Sequence, residues 1–93
     1  MTSDIEIRRK RLLYRASYRG FKEADLLVGG FAKAHLPEMN EADLDAFEAL
    51  LKLEDRDLYD WATGKRAAPP EVEGPVFERL QAFNVAAMIH GAS

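Results

Sequence analysis

The 93-residue chain contains no cysteine, which excludes disulfides, thiolate metal sites and thiol catalysis. It has few β-branched residues, and its apolar positions recur at helical rather than alternating spacing, which argues against a sheet. No apolar run approaches the roughly 20 residues that a membrane span needs. Met1 to Lys10 has no apolar core of the signal-peptide kind, and Asp4 and Glu6 are out of place in a mitochondrial transit peptide. The expectation is a cytoplasmic protein. Imidazole is scarce: His35 and His90 fall in different elements, and no His-Glu metal spacing exists. Asp55, Asp57 and Asp60 lack the central Gly and terminal Glu of an EF-hand loop, so capping and solvation explain them better than a cation. An enzyme is therefore a poorer reading than a binding protein, and neither a metal nor a stably bound cofactor is expected.

What is present is ordinary for one globular domain: 47% hydrophobic and 31% charged residues. The net charge of −3 conceals an asymmetry. Seven of the 13 basic residues lie between Arg8 and Lys22, with no acid among them. Beyond Lys22 there are 14 acids and 6 bases. A cationic first element is thus attached to an acidic body, which bears on association rather than on fold.

The pattern predicts an all-α, five-helix bundle in a single domain. Its core runs over 4–84, and 85–93 forms a frayed tail. Ser3 with Glu6 reads as a capping box opening a first helix from Asp4 to Tyr18, with Ile5, Leu12, Leu13 and Ala16 inward. Arg19-Gly20 breaks it. A second helix, Lys22 to Leu36, is expected to face inward through Leu26, Leu27, Phe31 and Ala34. Gly29 and Gly30 allow close approach of a neighbouring helix, and Pro37 ends the segment. Asn40 is the expected N-cap of a third helix whose buried face is Leu44, Phe47, Leu50 and Leu51. Asp55 is expected to cap a short fourth helix carrying Tyr59 and Trp61 and ended by Gly64. Lys65 to Pro70 is a connector. Pro75 opens the last helix, where its missing N–H is harmless. Val76, Phe77, Leu80 and Phe83 face inward, and fraying is expected from Asn84.

Arg8, Arg11 and Arg15 share a face of the first helix, so a stripe running along nucleic-acid phosphates is one reading. The pI of 5.3 and the acidic body oppose it. The segment Arg11-Leu12-Leu13-Tyr14-Arg15-Ala16-Ser17-Tyr18-Arg19-Gly20-Phe21-Lys22-Glu23 says more. It resembles the signature of the SdhE-type succinate dehydrogenase assembly factors, the flavinylation factors, whose hallmark is Arg-Gly-x-x-Glu between the first two helices. Arg19, Gly20 and Glu23 match it in full. Asp25-Leu26-Leu27, Phe31-Ala32, Leu50-Leu51, Asp57 to Trp61 and Pro69-Pro70 follow in the family's order, so the likeness spans about Arg8 to Phe83.

The resemblance implies a five-helix protein that binds the flavoprotein subunit of succinate dehydrogenase and, in some bacteria, that of fumarate reductase. It implies promotion of covalent FAD attachment in that partner, by chemistry belonging to the flavoprotein. No nucleic acid and no membrane insertion are implied, and the chain's lack of a dinucleotide fingerprint gives no reason to expect a flavin site of its own.

The partner-binding candidates are Arg19, Gly20 and Glu23, with Arg11, Arg15, Phe21 and Asp25 in support. Gly20 permits a sharp turn. Arg19 and Glu23 either project toward a partner or form an intrachain ion pair that fastens the corner. Phe21, if exposed there, would anchor an interface. Asp25 is open between a partner contact, a local cap and an ion-pair partner. Trp61 is assigned to the core.

Overall fold

The computed structural model describes the backbone of residues 3–91 and the side chains of residues 3–87. Five α-helices follow one another: α1 (Asp4–Ser17), α2 (Lys22–His35), α3 (Glu41–Leu51), α4 (Asp55–Thr63) and α5 (Pro75–Gly91). A single 3-10 turn, Leu36–Glu38, carries Pro37 between α2 and α3. The described residues contain no strand. The all-α, five-helix expectation is therefore met.

Local chemistry sets most boundaries. The Ser3 hydroxyl accepts from the Glu6 N–H at 3.3 Å, and the Asn40 side chain accepts from the Asp43 N–H at 2.9 Å. Each satisfies a helix-start donor that would otherwise lack a partner. Gly64 closes α4 at φ 81°, donating to the carbonyls of Asp60 and Trp61. Pro75 is the first residue of α5.

The core is apolar throughout, with no buried polar residue among those described. Phe31 is its hub. Its ring lies 5.6 Å from Phe47 and 5.9 Å from Phe83, and His35 stacks on it at 4.6 Å. That contact gives His35 a packing role. Leu12, Ala16, Leu44, Leu50, Leu51, Leu58, Val76, Phe77 and Leu80 complete the interior as the periodicity predicts. Trp61 and Tyr59 pack against its edge.

Four expectations need correction. The inward face of α2 is Ala24, Leu27, Val28, Phe31 and Ala32, a full i, i+3, i+4 stripe. Leu26 and Ala34 lie off that stripe, and both are exposed, Leu26 at 65%. Asp55 does not cap α4. The N-cap is Glu54, which makes no side-chain capping bond, because the Asp55 carboxylate is engaged elsewhere. Residues 84–91 continue α5 rather than fray from Asn84, since nothing between Asn84 and Ile89 breaks a helix; residues 92 and 93 of the expected tail lie outside the described residues. Finally, α1 ends at Ser17 and α2 at His35, one residue before the expected Tyr18 and Leu36, a difference of the size usual at helix ends.

Gly29 does what its type allows. A Cβ there would lie 3.0 Å from the Ser17 Cα, so α1 and α2 meet backbone to backbone. A Cβ at Gly30 would make ordinary contact, 3.5 Å, with the Phe83 ring. This close seam fixes the corner at which α1 turns into α2.

Candidate functional site

The corner comprises Tyr18, Arg19, Gly20 and Phe21. Gly20 has φ +134°, a conformation that residues with a Cβ rarely adopt. It is also short of space: a Cβ would lie 2.7 Å from the Asp55 Oδ2. Phe21 is the N-cap of α2 and supplies no capping bond. Asp25 instead reaches back from the first turn of α2 to the turn before it, its Oδ1 accepting from the backbone N–H groups of both Arg19 and Gly20, the latter at 3.2 Å. Of the three readings of Asp25, a local backbone role, nearest the cap, is the one its geometry supports.

Arg19 departs most from the expectation. Its side chain is 7% exposed and points into the protein. The guanidinium donates to the Leu51 carbonyl at 2.8 Å and the Leu53 carbonyl at 3.0 Å, and pairs with Asp55 at 2.9 Å. These acceptors form the end of α3 and the start of α4. The planar donor fork suits such a set of converging acceptors. Arg19 therefore neither projects toward a partner nor bonds to Glu23. It ties the α1–α2 corner to the α3–α4 turn.

Glu23 does not form the intrachain pair with Arg19 that was one of the two readings. It is exposed in the first turn of α2 and has no ion-pair or hydrogen-bond partner among the described residues. The helix N-terminus favours its negative charge. It borders an open cavity of about 280 Å³ floored by Leu26, Leu27, Tyr59, Phe83 and Ala87. Phe21 is half-buried, edge-on to Tyr59 at 5.3 Å with the Arg56 guanidinium 4.3 Å over its ring. Its face is thus already covered, and it is not the exposed anchor considered from the sequence.

The aromatics that are exposed are Tyr14 and Tyr18, at 68% and 69%, their rings 4.7 Å apart, Tyr14 on the last turn of α1 and Tyr18 at its C-cap. Both lie inside the signature segment. Their i, i+4 spacing on a face away from Leu12 and Ala16 was the signal that could have singled them out.

The basic stripe is largely neutralised. Arg8 pairs with Asp45 at 2.6 Å and Glu48 at 2.9 Å, and Arg15 lies 3.7 Å from Glu48. The Arg8 hydrogen bond holds the Glu48 carboxyl below its ordinary pKa. Arg11 alone of the three is without a partner among the described residues, at the edge of a cavity of about 530 Å³ shared with Ile7 and Arg15. A continuous track for phosphates is therefore absent from this face.

Together these residues form an exposed corner whose backbone is tied down by Asp25 and Arg19. The corner and the signature segment around it offer one unpaired carboxylate, one unpaired guanidinium, two tyrosines and the exposed Leu26, and no convergent set of ionisable groups suited to catalysis among the described residues. No group of three or more candidate metal-ligating side chains occurs among the described residues, and no helix there is long and apolar enough to cross a membrane.

Comparison with known proteins agrees with this picture. Residues 10–84 match the family described as "Flavinator of succinate dehydrogenase". The "FAD assembly factor SdhE" of Acetobacter pasteurianus is 36% identical over 77 residues, covering 83% of this chain and 71% of that protein. A protein of Dictyostelium discoideum named "Succinate dehydrogenase assembly factor 2, mitochondrial" is 38% identical over 79 residues, covering 85% of this chain and 56% of its own length. The like-named protein of Scheffersomyces stipitis is 49% identical over 59 residues, covering 63% of this chain and 40% of its own length. The chain thus spans about half the length of these two eukaryotic relatives. The match is to assembly factors rather than to enzymes.

Proposed function

Since the chain belongs to the flavinator-of-succinate-dehydrogenase family, we propose that it binds the flavoprotein subunit of succinate dehydrogenase and promotes covalent attachment of FAD within that subunit. Fumarate reductase's flavoprotein is a second partner of the same chemistry. The proposed compartment is the cytoplasm. The flavin is the partner's own cofactor, and attachment uses the partner's groups; this chain contributes a docking surface.

One observation carries the reading. The family's Arg-Gly-x-x-Glu signature builds a corner in which Arg19 and Gly20 fix the backbone and Glu23 is left exposed and uncommitted. A carboxylate at a helix N-terminus that no internal donor claims is free to accept charge-assisted hydrogen bonds from a partner, and these offset the cost of stripping its water. Leu26 lines the same cavity as Glu23, and Tyr14, Tyr18 and Arg11 are exposed elsewhere in the signature segment, where they provide apolar and cationic contact area. Tyrosine and arginine are the types that dominate interface energetics.

Docking alone would not promote attachment. The partner must be held more tightly in the attachment-competent conformation than in others, and the shift cannot exceed that difference in affinity. A corner whose backbone is tied down suits such selection because it spends little ordering entropy on binding.

The direct test is capture of the purified flavoprotein subunit by the purified chain, read alongside flavin content. Binding of the subunit, with more covalent flavin in its presence, is expected. Absence of both would overturn the reading. Binding to duplex or single-stranded nucleic acid with a steep salt dependence would point instead to the phosphate-stripe alternative.

A further inference from the structure

We infer that Asp55, which lies outside the Arg-Gly-x-x-Glu signature, is a positioning residue for the docking corner: its carboxylate sets both the Arg19 side chain and the Gly20 backbone, and through them the presentation of Glu23. The inference rests on the proposed function for what the corner docks to, and on the geometry alone for how the corner is held.

The two carboxylate oxygens of Asp55 do different things. Oδ1 pairs with Arg19 Nη2 at 2.9 Å. Oδ2 lies 2.7 Å from where a Cβ would stand at Gly20, too close to admit a side chain there. One side chain from α4 therefore abuts two consecutive residues of the corner. Asp55 is the only carboxylate within ion-pairing distance of Arg19 among the described residues. The remaining acceptors of that guanidinium are two carbonyls, and its Nε is buried without a partner. Without Asp55 the Arg19 charge, nine-tenths buried, has no counter-ion.

The Leu51 and Leu53 carbonyls, the Tyr59 ring and the Arg56 guanidinium also meet the corner, but among the described residues Asp55 alone brings it a counter-charge. The N-cap of α2, Phe21, makes no side-chain bond, so the chain enters α2 without the usual restraint. Asp25 fixes the backbone from within α2. Asp55 is the charged restraint from the facing helix, beside the packing of Phe21 on Tyr59 and Arg56, and it helps set where the corner sits relative to α4. Glu23 follows Gly20 by three residues and inherits that placement.

The test pairs Asp55→Ala with Asp57→Ala. Asp57 is two residues along α4 and pairs with Arg66 at 2.5 Å, away from the corner. Backbone amide spectra of each free variant are recorded at a temperature where far-UV circular dichroism shows it folded. Flavin attachment to the purified flavoprotein subunit is then measured with each. Asp55→Ala is expected to move the Gly20 and Glu23 amide resonances and lower the attachment rate at least tenfold, while Asp57→Ala leaves both near wild type. If Asp55→Ala does not fold, Asp55→Asn, which keeps an acceptor for Arg19 but loses the charge, carries the same expectation in the same direction. Wild-type amide positions for Gly20 and Glu23, or attachment as fast as wild type, would overturn the inference; so would an equal loss from Asp57→Ala. A wild-type chain that fails to raise attachment at all would instead overturn the proposed function, and shifted Gly20 and Glu23 resonances would then still support the geometric assignment.

Discussion

Replacing Gly20 with alanine tests whether the corner is as tightly specified as its geometry indicates. Two costs add. The backbone at φ +134° is unfavourable for any residue with a Cβ, by about 1–3 kcal/mol. The new methyl would also sit 2.7 Å from Asp55 Oδ2. A carboxylate tip can usually swing aside, but this one is pinned through Oδ1 to a buried guanidinium. Displacing it weakens an ion pair with a nearly buried guanidinium, an interaction with a charged group worth about 1.5–3 kcal/mol. The sum is about 2.5–6 kcal/mol, out of a total stability of about 5–14 kcal/mol for a domain of this size. That corresponds to a fall in Tm of at least about 10 °C.

The control is Gly64→Ala. Its φ of +81° carries strain, but no atom lies within 4 Å of the new Cβ. Thermal unfolding followed by circular dichroism should show Gly20→Ala to be the more damaging of the two. Combining Gly20→Ala with Asp55→Ala should then cost less than the two single changes added together, by about 1.5–3 kcal/mol, because one substitution relieves the overlap made by the other. Equal losses at Gly20 and Gly64, or strict additivity in the double variant, would refute the reasoning that Asp55 is fixed in place against Gly20.

The two helical glycines should respond with opposite signs. Gly29→Ala, with its Cβ 3.0 Å from the Ser17 backbone, should lower the stability by about 1–3 kcal/mol, whereas Gly30→Ala, with 3.5 Å to a ring, should be neutral or gain up to about 1 kcal/mol of helix propensity in chemical denaturation. Phe31→Ala should cost about 3–5 kcal/mol in the same assay, since its ring is fully buried among Phe47, Phe83 and His35. Glu48→Gln should destabilise the chain near neutral pH and not in acid. The folded-state pKa of Glu48 is depressed by Arg8, so its contribution is present above the ordinary carboxylate pKa and disappears as pH falls through the lower folded value. Stability curves of the two proteins that fail to converge at low pH would contradict that assignment.

The fold was largely legible because short helices announce themselves at their ends and along their faces. Ser3, Asn40, Gly64 and Pro75 all act as their residue types predict. Leu26 was misplaced because α2 is rich in apolar residues on more than one face. The stripe of Ala24, Leu27, Val28, Phe31 and Ala32 leaves no inward position for it. The site was legible as a place and less so as a set of roles. Glu23 and Gly20 follow from the signature and from backbone chemistry. The burial of Arg19 does not, because its acceptors are carbonyls more than 30 residues away, and a backbone carbonyl carries no residue-type signal. Asp55 reads from sequence as an N-cap because an acid at a helix start ordinarily is one. Only the fold brings Arg19 close enough to claim it.

The most direct measurement of the central claim is in-gel flavin fluorescence of the denatured succinate dehydrogenase flavoprotein subunit after incubation with FAD and either the wild-type chain or Glu23→Ala. Glu23 is exposed and unpaired, so the variant should fold with wild-type helicity and Tm. Strong covalent fluorescence with the wild-type chain and at least a tenfold weaker band with folded Glu23→Ala is the predicted result. Bands of equal intensity would contradict the claim that this carboxylate is what the corner presents to its partner.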